Sequence, residues 1–297
     1  MYRKRVPPTH SGPLLSPGDI AAMTKRDDEL VTAWLRTQQA QGFSNRTVTR
    51  RDTAMKSYRR HIAPLSLRSS SAEVVEDWLL SYTSPATRHA YRSDLSLFYK
   101  WALLRKLIPE DPMASLPATK VPRGVPRPFS QAVIDRLLAA PLDPTYGLMI
   151  RLGLYAGLRV SEMAALCWED IRLSEGGTLT VRDGKGGKSR ILPMHPNLIA
   201  ALPSPRPYGP VLLCADGTPF DGGKVGRTIK AVLTLLGIDG VPHQLRHCYG
   251  TELARASGGD MLLVATLMGH SSPATTMIYA QLAGGEASRI VDLMWVA

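Results

Sequence analysis

The stretch TLTVRDGKGGKSRILPM, residues 178–194, places a glycine-rich segment between two short runs of alternating apolar residues. Alternation with a period of two predicts strands over Thr178–Arg182 and Ser189–Met194. The glycines between the two runs supply the positive φ angles that tight turns require. The stretch therefore predicts a β-hairpin.

The segment DGKGGKSR, residues 183–190, also contains Gly187-Lys188-Ser189, which resembles the end of a nucleotide-binding loop. That loop needs a glycine at position 182, where this chain has Arg182, and a helix immediately afterwards. Here Ile191-Leu192-Pro193 is typical of a strand, and its proline would interrupt a helix. We therefore exclude a nucleotide-binding loop.

A hairpin tip holds Lys185 away from the sheet on a flexible side chain. On this stretch alone, two interpretations stay open. Lys185 is either a solvated turn charge or a lysine that the hairpin delivers to a reaction centre. Lys188 is the alternative candidate for that second role.

Helical periodicity dominates the rest of the chain. Apolar residues at spacings of three and four predict helices between about Asp27 and Arg105. Val211–Cys214 is predicted as a third short strand. Further helices are predicted over residues 130–140, 144–156, 160–168, 223–237, 243–257 and 260–268. The expected fold class is mainly α with a small antiparallel β-sheet, an α+β fold.

Composition divides the chain into segments. Residues 1–24 hold four prolines and little periodicity, so we interpret them as a flexible leader. Residues 109–128 hold six prolines, which exclude a helix or a central strand and predict an extended basic linker. The predicted organisation is a leader over 1–24, a helical domain over 25–108, the linker over 109–128, a second domain over 129–283 and an apolar tail over 284–297.

Positive charge is concentrated in the first part of the chain. Residues 1–128 hold 21 Lys and Arg against 11 Asp and Glu, whereas residues 129–297 hold 15 against 14, out of a net charge of +11. This asymmetry indicates that the first part binds a polyanion, most simply nucleic acid, and the alternative is a solvated basic face. Candidate DNA-binding residues are Arg88, His89 and Arg92 near a predicted helix start at Ser84-Pro85, and Lys120, Arg123 and Arg127 in the linker.

Several protein classes are excluded by composition. Three cysteines without C-x-x-C spacing argue against a disulfide framework or a zinc site. The N-terminus lacks the apolar core of a signal peptide, and no run approaches the roughly 18 apolar residues of a membrane span. We expect no bound metal, no membrane association and a cytoplasmic location on DNA, in a bacterial or phage-infected cell.

Reactive side chains gather in three further stretches of the second part of the chain. Arg159 lies at a predicted helix start, with Glu162 one turn further on. His243 and Arg246 are three residues apart, so they share a helix face. A single His-x-x-Arg is common by chance. Two arginines, two histidines, a hairpin lysine and a tyrosine in this order form a far rarer set. The stretches are GLYAGLRVSEMAALCWEDI over 153–171, PHQLRHCYGTEL over 242–253 and LMGHSSPATTMIYA over 267–280.

With these motifs the sequence resembles the tyrosine recombinases, the phage integrase and Xer family, over about residues 27–290. GLRVSE, GKGGK, HQLRH and the stretch from Gly269-His270 to Tyr279 stand in the family's order. The resemblance implies a core-site DNA-binding domain over 25–108 and a catalytic domain over 129–283. It implies a catalytic set of Arg159, Lys185, His243, Arg246, His270 and the nucleophile Tyr279.

Elementary chemistry agrees with these roles. A tyrosine ester stores the energy of the broken phosphodiester, and a base such as His243 assists a phenol whose pKa is about 10. Two guanidinium groups match the non-bridging oxygens of a five-coordinate phosphorus. His270 would donate a further hydrogen bond, and Lys185 a proton to the departing 5′ oxygen. Glu162 is expected to orient a helix or an arginine. The structural alternative for Tyr279 is a packing tyrosine at a helix end, and His247 and Tyr249 are expected to be structural.

The resemblance implies a site-specific recombinase that works through a 3′-phosphotyrosyl intermediate without a cofactor. The expected role is a compact phage or prophage integrase. The alternatives are a Xer-like dimer resolvase of chromosomes or plasmids, a type IB topoisomerase, and a non-catalytic DNA-binding regulator. The implied partners are double-stranded DNA with inverted core sites, a homotetramer on two DNA sites, and a directionality factor. The tail over 284–297 is expected to dock on a neighbouring protomer, with packing on its own domain as the alternative.

Overall fold

The computed structural model describes residues 16–118, 127–174, 176–184 and 188–269. The chain divides into two compact units, with the division between Arg123 and Gly124. Helices make up most of the described residues, and the sheet in the second unit is small and antiparallel. The predicted fold class is therefore confirmed.

The first unit is helical. Its helices are α1 (Pro17–Ala40), α2 (Asn45–Ile62), α3 (Ala72–Leu80) and α4 (Pro85–Leu104), with a 3₁₀ turn at Leu67–Ser69. As the sequence predicts, Ser84 caps α4: its hydroxyl accepts a hydrogen bond from the Thr87 N–H at 3.3 Å.

Helix α1 begins at Pro17, inside the segment predicted to be a flexible leader. The Ser16 hydroxyl accepts from the Asp19 N–H, and the Asp19 carboxylate accepts from the Ser16 N–H, both at 3.2 Å. This reciprocal capping satisfies two N–H groups that a helix start leaves open. The leader prediction is therefore wrong for residues 17–24. Ser16-Pro17 is a helix-start signal, although the four prolines of residues 1–24 together disfavour regular structure.

An aromatic core holds the first unit together. Trp34 of α1 meets Phe98 of α4 edge to face with ring centroids 5.4 Å apart, and Tyr58 of α2 packs on Trp78 of α3 at 4.8 Å. All four side chains are buried. Leu95, Phe98 and Ala102 of α4 also face this core. Met113 and Leu116, within the segment predicted as a linker, also pack against it.

The second unit surrounds a three-stranded sheet with helices. The strands are β1 (Ile171–Arg172), β2 (Thr178–Gly184) and β3 (Lys188–Pro193) in the order β1-β2-β3, all antiparallel. Its helices are α5 (Gln131–Ala139), α6 (Pro144–Tyr155), α7 (Val160–Ala165), α8 (Pro196–Ile199), α9 (Gly222–Leu235), α10 (His243–Ala256) and α11 (Met261–Met268), with a 3₁₀ turn at Trp168–Asp170.

The predicted hairpin is present, with Thr178 opposite Pro193 and Val181 opposite Arg190. The third strand is Ile171–Arg172, so the prediction of a strand over Val211–Cys214 is wrong. Val211 donates its N–H to Leu166, and Cys214 donates to Thr218 across a turn, at 2.9 and 2.8 Å. The apolar run is explained by burial of its side chains rather than by a strand.

A continuous apolar core joins the sheet to the helices of the second unit. Leu179 of β2 and Leu192 of β3 are fully buried in it, together with Leu152 of α6 and Leu245 of α10. Packing against this core fixes α7, α10, α11 and β3 relative to one another. The polar side chains described next come from α7 and the residue before it, from β3 and from α10, and they contact backbone carbonyls at the end of α11.

Candidate active site

Glu162 of α7 lies at the centre of a cluster of arginines. Its side chain is 6% exposed, and both carboxylate oxygens accept hydrogen bonds. The surrounding guanidinium groups belong to Arg159, Arg190 and Arg246, which come from three different parts of the chain. A buried carboxylate needs such partners, because an unpaired charge away from water is costly.

Arg159 is the N-cap residue of α7. Its backbone N–H donates to Glu162 Oε2 at 2.9 Å, and its Nη1 donates to Oε1 at 2.5 Å. Because Glu162 is the third residue of the helix, the backbone contact is half of a capping box. The Arg159 side chain is 23% exposed and is the most accessible of the three arginines. It is therefore the one most open to an anion arriving from outside.

Arg190 of β3 forms the most regular contact with Glu162. Its Nη1 and Nη2 donate to Oε1 and Oε2 at 3.1 and 2.9 Å, a two-pronged arrangement that suits a planar guanidinium. Its Nε donates to the Leu267 carbonyl at 3.0 Å. The side chain is 7% exposed, so Arg190 joins the hairpin to α7 and α11 inside the protein.

Arg246 of α10 is the most deeply buried of the three, with 2% of the residue exposed. Its guanidinium donates to the carbonyls of Gly157 and Met268 and lies 3.9 Å from Glu162 Oε2. Gly157 has a φ of +59°, and a Cβ there would lie 2.2 Å from the Tyr249 ring. The half-buried Tyr249 thus fills the space beside this turn, in agreement with the structural role expected for it.

The three arginines also hold the end of α11. Arg190, Arg246 and Arg159 donate to the carbonyls of Leu267, Met268 and Gly269 respectively, which are three successive residues. Carbonyls at a helix C-terminus lack intrahelical partners and carry partial negative charge, which favours cations there. The chain immediately before His270 is therefore fixed by the same groups that surround Glu162.

Glu162 is ionised at neutral pH. Burial alone raises the pKa of its carboxyl, but hydrogen bonds from Arg190 and the Arg159 N–H, with the charges of both arginines, lower it from 4.5 to about 2. One carboxylate among three guanidinium groups leaves an excess of positive charge. Such a cluster is suited to binding a phosphate diester and to stabilising the additional charge of its transition state.

His243, the first residue of α10, lies beside this cluster. Burial, together with the charges of Arg246 and Arg159, lowers the pKa of its imidazole. Its ring meets that of His247 edge to face with centroids 4.6 Å apart, and burial and the neighbouring charges lower the pKa of His247 to about 4. A neutral His243 is able to accept a proton at pH 7.

Several predicted residues lie outside the described part of the chain. They are the catalytic candidates Lys185, His270 and Tyr279 and the DNA-binding candidates Lys120 and Arg123. The described chain ends one residue before Lys185, at Gly184, and one residue before His270, at Gly269. The assignments of these residues stay predictions.

The DNA-binding candidates of the first unit lie in the first turns of α4, at the end that the sequence predicts. His89 is exposed, whereas Arg88 and Arg92 are half-buried. Arg92 donates to the Leu116 carbonyl and so holds the segment that follows α4. Arg127, in the second unit, is exposed. Arg92 therefore has a structural contact in addition to its expected role at DNA.

Sequence reasoning missed Arg190, which stands at the end of the glycine-rich stretch. The available signal was its position in β3. Arg190, Leu192 and Met194 alternate with exposed positions, and both apolar residues are buried. Since alternate residues of a strand share a face, Arg190 had to lie on the inner side.

Sequence reasoning also missed a basic face on α2, formed by Arg46, Arg50, Lys56 and Arg60, all exposed. Arg50 is held at 2.7 Å by the buried carboxylate of Asp94. The available signal was the spacing of four residues between Arg46 and Arg50 and between Lys56 and Arg60, which places the charges of each pair on one side of a helix.

Among the described residues, no helix is long and apolar enough to cross a membrane. Within the same ranges, no three His, Cys, Asp or Glu side chains are grouped so as to hold a metal ion.

Comparison with known proteins finds a matching family and relatives of this chain. The phage integrase family model matches residues 129–285. The tyrosine recombinase XerD of Caulobacter vibrioides is 32% identical over 252 residues, covering 76% of this chain and 82% of that protein. XerC of Xanthomonas axonopodis pv. citri is 33% identical over 209 residues, covering 66% of this chain and 67% of that protein.

Solved structures show the same fold. A lambda integrase dimer bound to a core site superposes with a TM-score of 0.71 at 18% identity, covering 93% of this chain and 84% of that one. The Tn1549 transposon integrase in complex with circular intermediate DNA gives 0.67 at 18% identity, with coverages of 85% and 94%. The family model matches more than half of this chain, and the XerD relative is 32% identical with 82% of its length covered. The chain belongs to the phage integrase family of tyrosine recombinases and is a site-specific recombinase.

Proposed function

We propose that this recombinase cuts DNA by attack of the Tyr279 hydroxyl on a phosphodiester, which forms a 3′-phosphotyrosyl bond and releases a 5′ hydroxyl. One observation carries the proposal. Arg159 and Arg246, from distant parts of the chain, share Glu162 in one cluster, and the positive charges of both act on His243. Two guanidinium groups beside a neutral imidazole suit a phosphoryl transfer step.

Proton transfer balances the reaction. The phenol of Tyr279 gives its proton to His243 as the new ester forms, and Lys185 gives a proton to the departing 5′ oxygen. Arg159, Arg246 and His270 donate to the non-bridging oxygens. The reverse reaction, with a 5′ hydroxyl of another strand as nucleophile, rejoins the DNA. Because one phosphodiester is exchanged for another, the reaction requires no nucleotide cofactor.

Basic surfaces in both units are proposed to bind DNA. The candidates are the start of α4 with Arg88, His89 and Arg92, the α2 face, and Lys120, Arg123 and Arg127 in the basic segment. The lambda integrase structures include a dimer on a core site and a tetramer on a Holliday junction. By analogy, we propose inverted core sites and a homotetramer on two DNA sites for this chain, with residues 284–297 docking on a neighbouring protomer and a directionality factor as a further partner.

Trapping covalent complexes on random genomic fragments tests the chemistry and recovers the DNA site in one experiment. The full-length protein is incubated with sheared genomic DNA of its source organism, denatured with detergent, and the DNA attached to protein is sequenced. We expect attachment at 3′ phosphates within one recurring sequence. Tyr279→Phe is expected to bind that sequence but to form no covalent complex, whereas Tyr208→Phe, at an exposed tyrosine, retains attachment. Covalent attachment by Tyr279→Phe would overturn the assignment.

The biological role that we favour is integration of a mobile element. Relatives named XerC and XerD match this chain at nearly equal identity, between 31% and 33%, so similarity assigns the chain to neither of them. Equal similarity favours a separate recombinase. A Xer-like resolvase of DNA dimers is the second candidate, because the relatives of this chain are named XerC and XerD.

The recovered attachment sequence separates the two roles. For an integrase we expect the site to lie beside the gene that encodes this chain, because an element carries its attachment site with its integrase. A recovered site far from the gene, at one position of a chromosome or plasmid, would instead favour dimer resolution. Relaxation of supercoiled DNA without exchange between two sites would contradict both roles and indicate topoisomerase activity.

A further inference from the structure

We propose that Arg190 is a positioning residue that balances the charge of Glu162 and thereby leaves the charge of Arg159 for the scissile phosphate. The inference rests on the proposed function and adds a residue to the site that the predicted catalytic set does not contain. It follows from the position of Arg190, the way the carboxylate is shared, and the link to α11.

Arg190 is positioned to act through the protein rather than on DNA. Its side chain is 7% exposed, and each of its three guanidinium nitrogens donates to a protein acceptor. Two of these acceptors are the oxygens of Glu162 and the third is the Leu267 carbonyl. Arg159, by contrast, is 23% exposed.

The carboxylate of Glu162 is shared between Arg159 and Arg190. Its Oε1 accepts from both, at 2.5 and 3.1 Å, while Arg246 lies at 3.9 Å from Oε2. If Arg190 were neutral, the buried carboxylate would have Arg159 as its main partner. Charge interactions are strong at such burial, so the field of Arg159 at a bound phosphate would be reduced.

Arg190 also links the hairpin to the end of α11. It extends from β3, which begins three residues after Lys185 in the sequence, and contacts Leu267, three residues before His270. Removing it would therefore affect packing as well as charge. The experiment must separate these two effects.

The test uses a nicked suicide duplex that carries the recovered attachment sequence. Single-turnover cleavage is measured at saturating DNA, well below the melting temperature of every variant. The duplex is made with a normal scissile phosphodiester and with a methylphosphonate, which lacks one non-bridging negative charge. The variants are Arg190→Gln, Arg190→Gln with Glu162→Gln, Arg190→Lys, and Leu192→Ala as a packing control on the same strand.

We expect Arg190→Gln to cleave the phosphodiester about 30-fold more slowly with DNA affinity within about threefold, because charge stabilisation of the transition state is lost. Adding Glu162→Gln is expected to restore most of the rate, because it removes the unbalanced carboxylate. The cleavage rate of Arg190→Lys should lie between those of Arg190→Gln and the wild type, since lysine keeps the charge but not the planar guanidinium that contacts both oxygens of Glu162. On the methylphosphonate the Arg190→Gln defect is expected to shrink to about threefold, whereas Leu192→Ala loses the same factor on both substrates.

Equal defects of Arg190→Gln on both substrates, or a double variant no faster than Arg190→Gln, would overturn the inference. A wild-type protein that forms no covalent complex would instead reject the proposed function. In that case thermal unfolding still tests whether Arg190 balances the charge of Glu162. Arg190→Gln is expected to lower the melting temperature by roughly 10 °C and the double variant to recover at least half of this loss. A double variant that melts at or below the temperature of Arg190→Gln contradicts the proposal.

Discussion

Gly269 lies against the side chain of Arg190 so closely that a Cβ on Gly269 would stand 2.9 Å from Arg190 Nη1 and 3.0 Å from its Cδ. Gly269 ends α11 in the left-handed conformation, with a φ of +61°. Its carbonyl accepts from Arg159 at 3.3 Å. This one residue therefore sets both the end of α11 and the space that Arg190 occupies beside Glu162.

We expect Gly269→Ala to reduce stability and to slow DNA cleavage. The left-handed backbone alone costs an alanine about 1 kcal/mol, and the new methyl group would push Arg190 away from Glu162. The matched control is Gly237→Ala, because Gly237 has a φ of +63° and nothing within 4 Å of an added Cβ. Thermal unfolding and suicide-substrate cleavage are measured for both. Equal losses in the two variants would show that contact with Arg190 adds nothing to backbone strain.

The stability supplied by Glu162 is expected to depend on pH in the acid range. The folded-state pKa of its carboxyl is about 2, below its ordinary value of 4.5, so the unfolded chain takes up a proton first as pH falls. The contribution, about 3 kcal/mol, is complete above about pH 4.5 and is lost progressively toward pH 2. The stability difference between wild type and Glu162→Gln should therefore narrow over this range in denaturant titrations.

Glu252→Gln is the control for that measurement. The Glu252 carboxylate forms an exposed ion pair with Arg255, and such pairs contribute little to stability. Its difference from wild type should stay small at every pH. A difference for Glu162→Gln that is constant from pH 7 to pH 3 would mean that the arginines do not hold the carboxylate ionised.

Lys185→Ala is expected to slow cleavage by about 10² to 10³ while leaving DNA affinity within a few-fold, because it removes the proposed general acid. A scissile linkage with sulfur at the 5′ bridging position should restore the rate to within about tenfold, since a thiolate leaves without a proton. Lys188→Ala, three residues further along the chain, is the paired control. Rescue of Lys188→Ala in place of Lys185→Ala would exchange the roles of the two lysines.

The α2 face is expected to contact DNA phosphates. The double variant Arg46→Gln with Arg60→Gln should make the negative slope of log affinity against log salt shallower by about two. The reason is that binding releases roughly one fewer counterion for each phosphate contact that is lost. Arg255→Gln removes an exposed charge in the second unit and serves as the control. Affinity is measured by fluorescence anisotropy between low and moderate salt. An unchanged slope in the double variant would remove α2 from the proposed interface.

Local patterns predicted most of the elements. Ser84-Pro85 marks the start of α4, and the alternation on both sides of the glycines predicts the hairpin, because caps, turns and periodicity depend on neighbours along the chain. The two errors arose where local signals compete. The count of prolines concealed the cap at Ser16, and the apolar run at Val211 is buried without forming a strand.

By itself the sequence determined the mixed α and β class, the concentration of positive charge in the first part, and the ordered motifs that contain Arg159, His243 and Arg246. Only the tertiary structure decided that Arg190 faces Glu162 and that three guanidinium groups hold Leu267, Met268 and Gly269. The physical reason is that burial and long-range hydrogen bonds depend on which elements pack together. No periodicity along the chain specifies that a strand arginine meets a helix carboxylate.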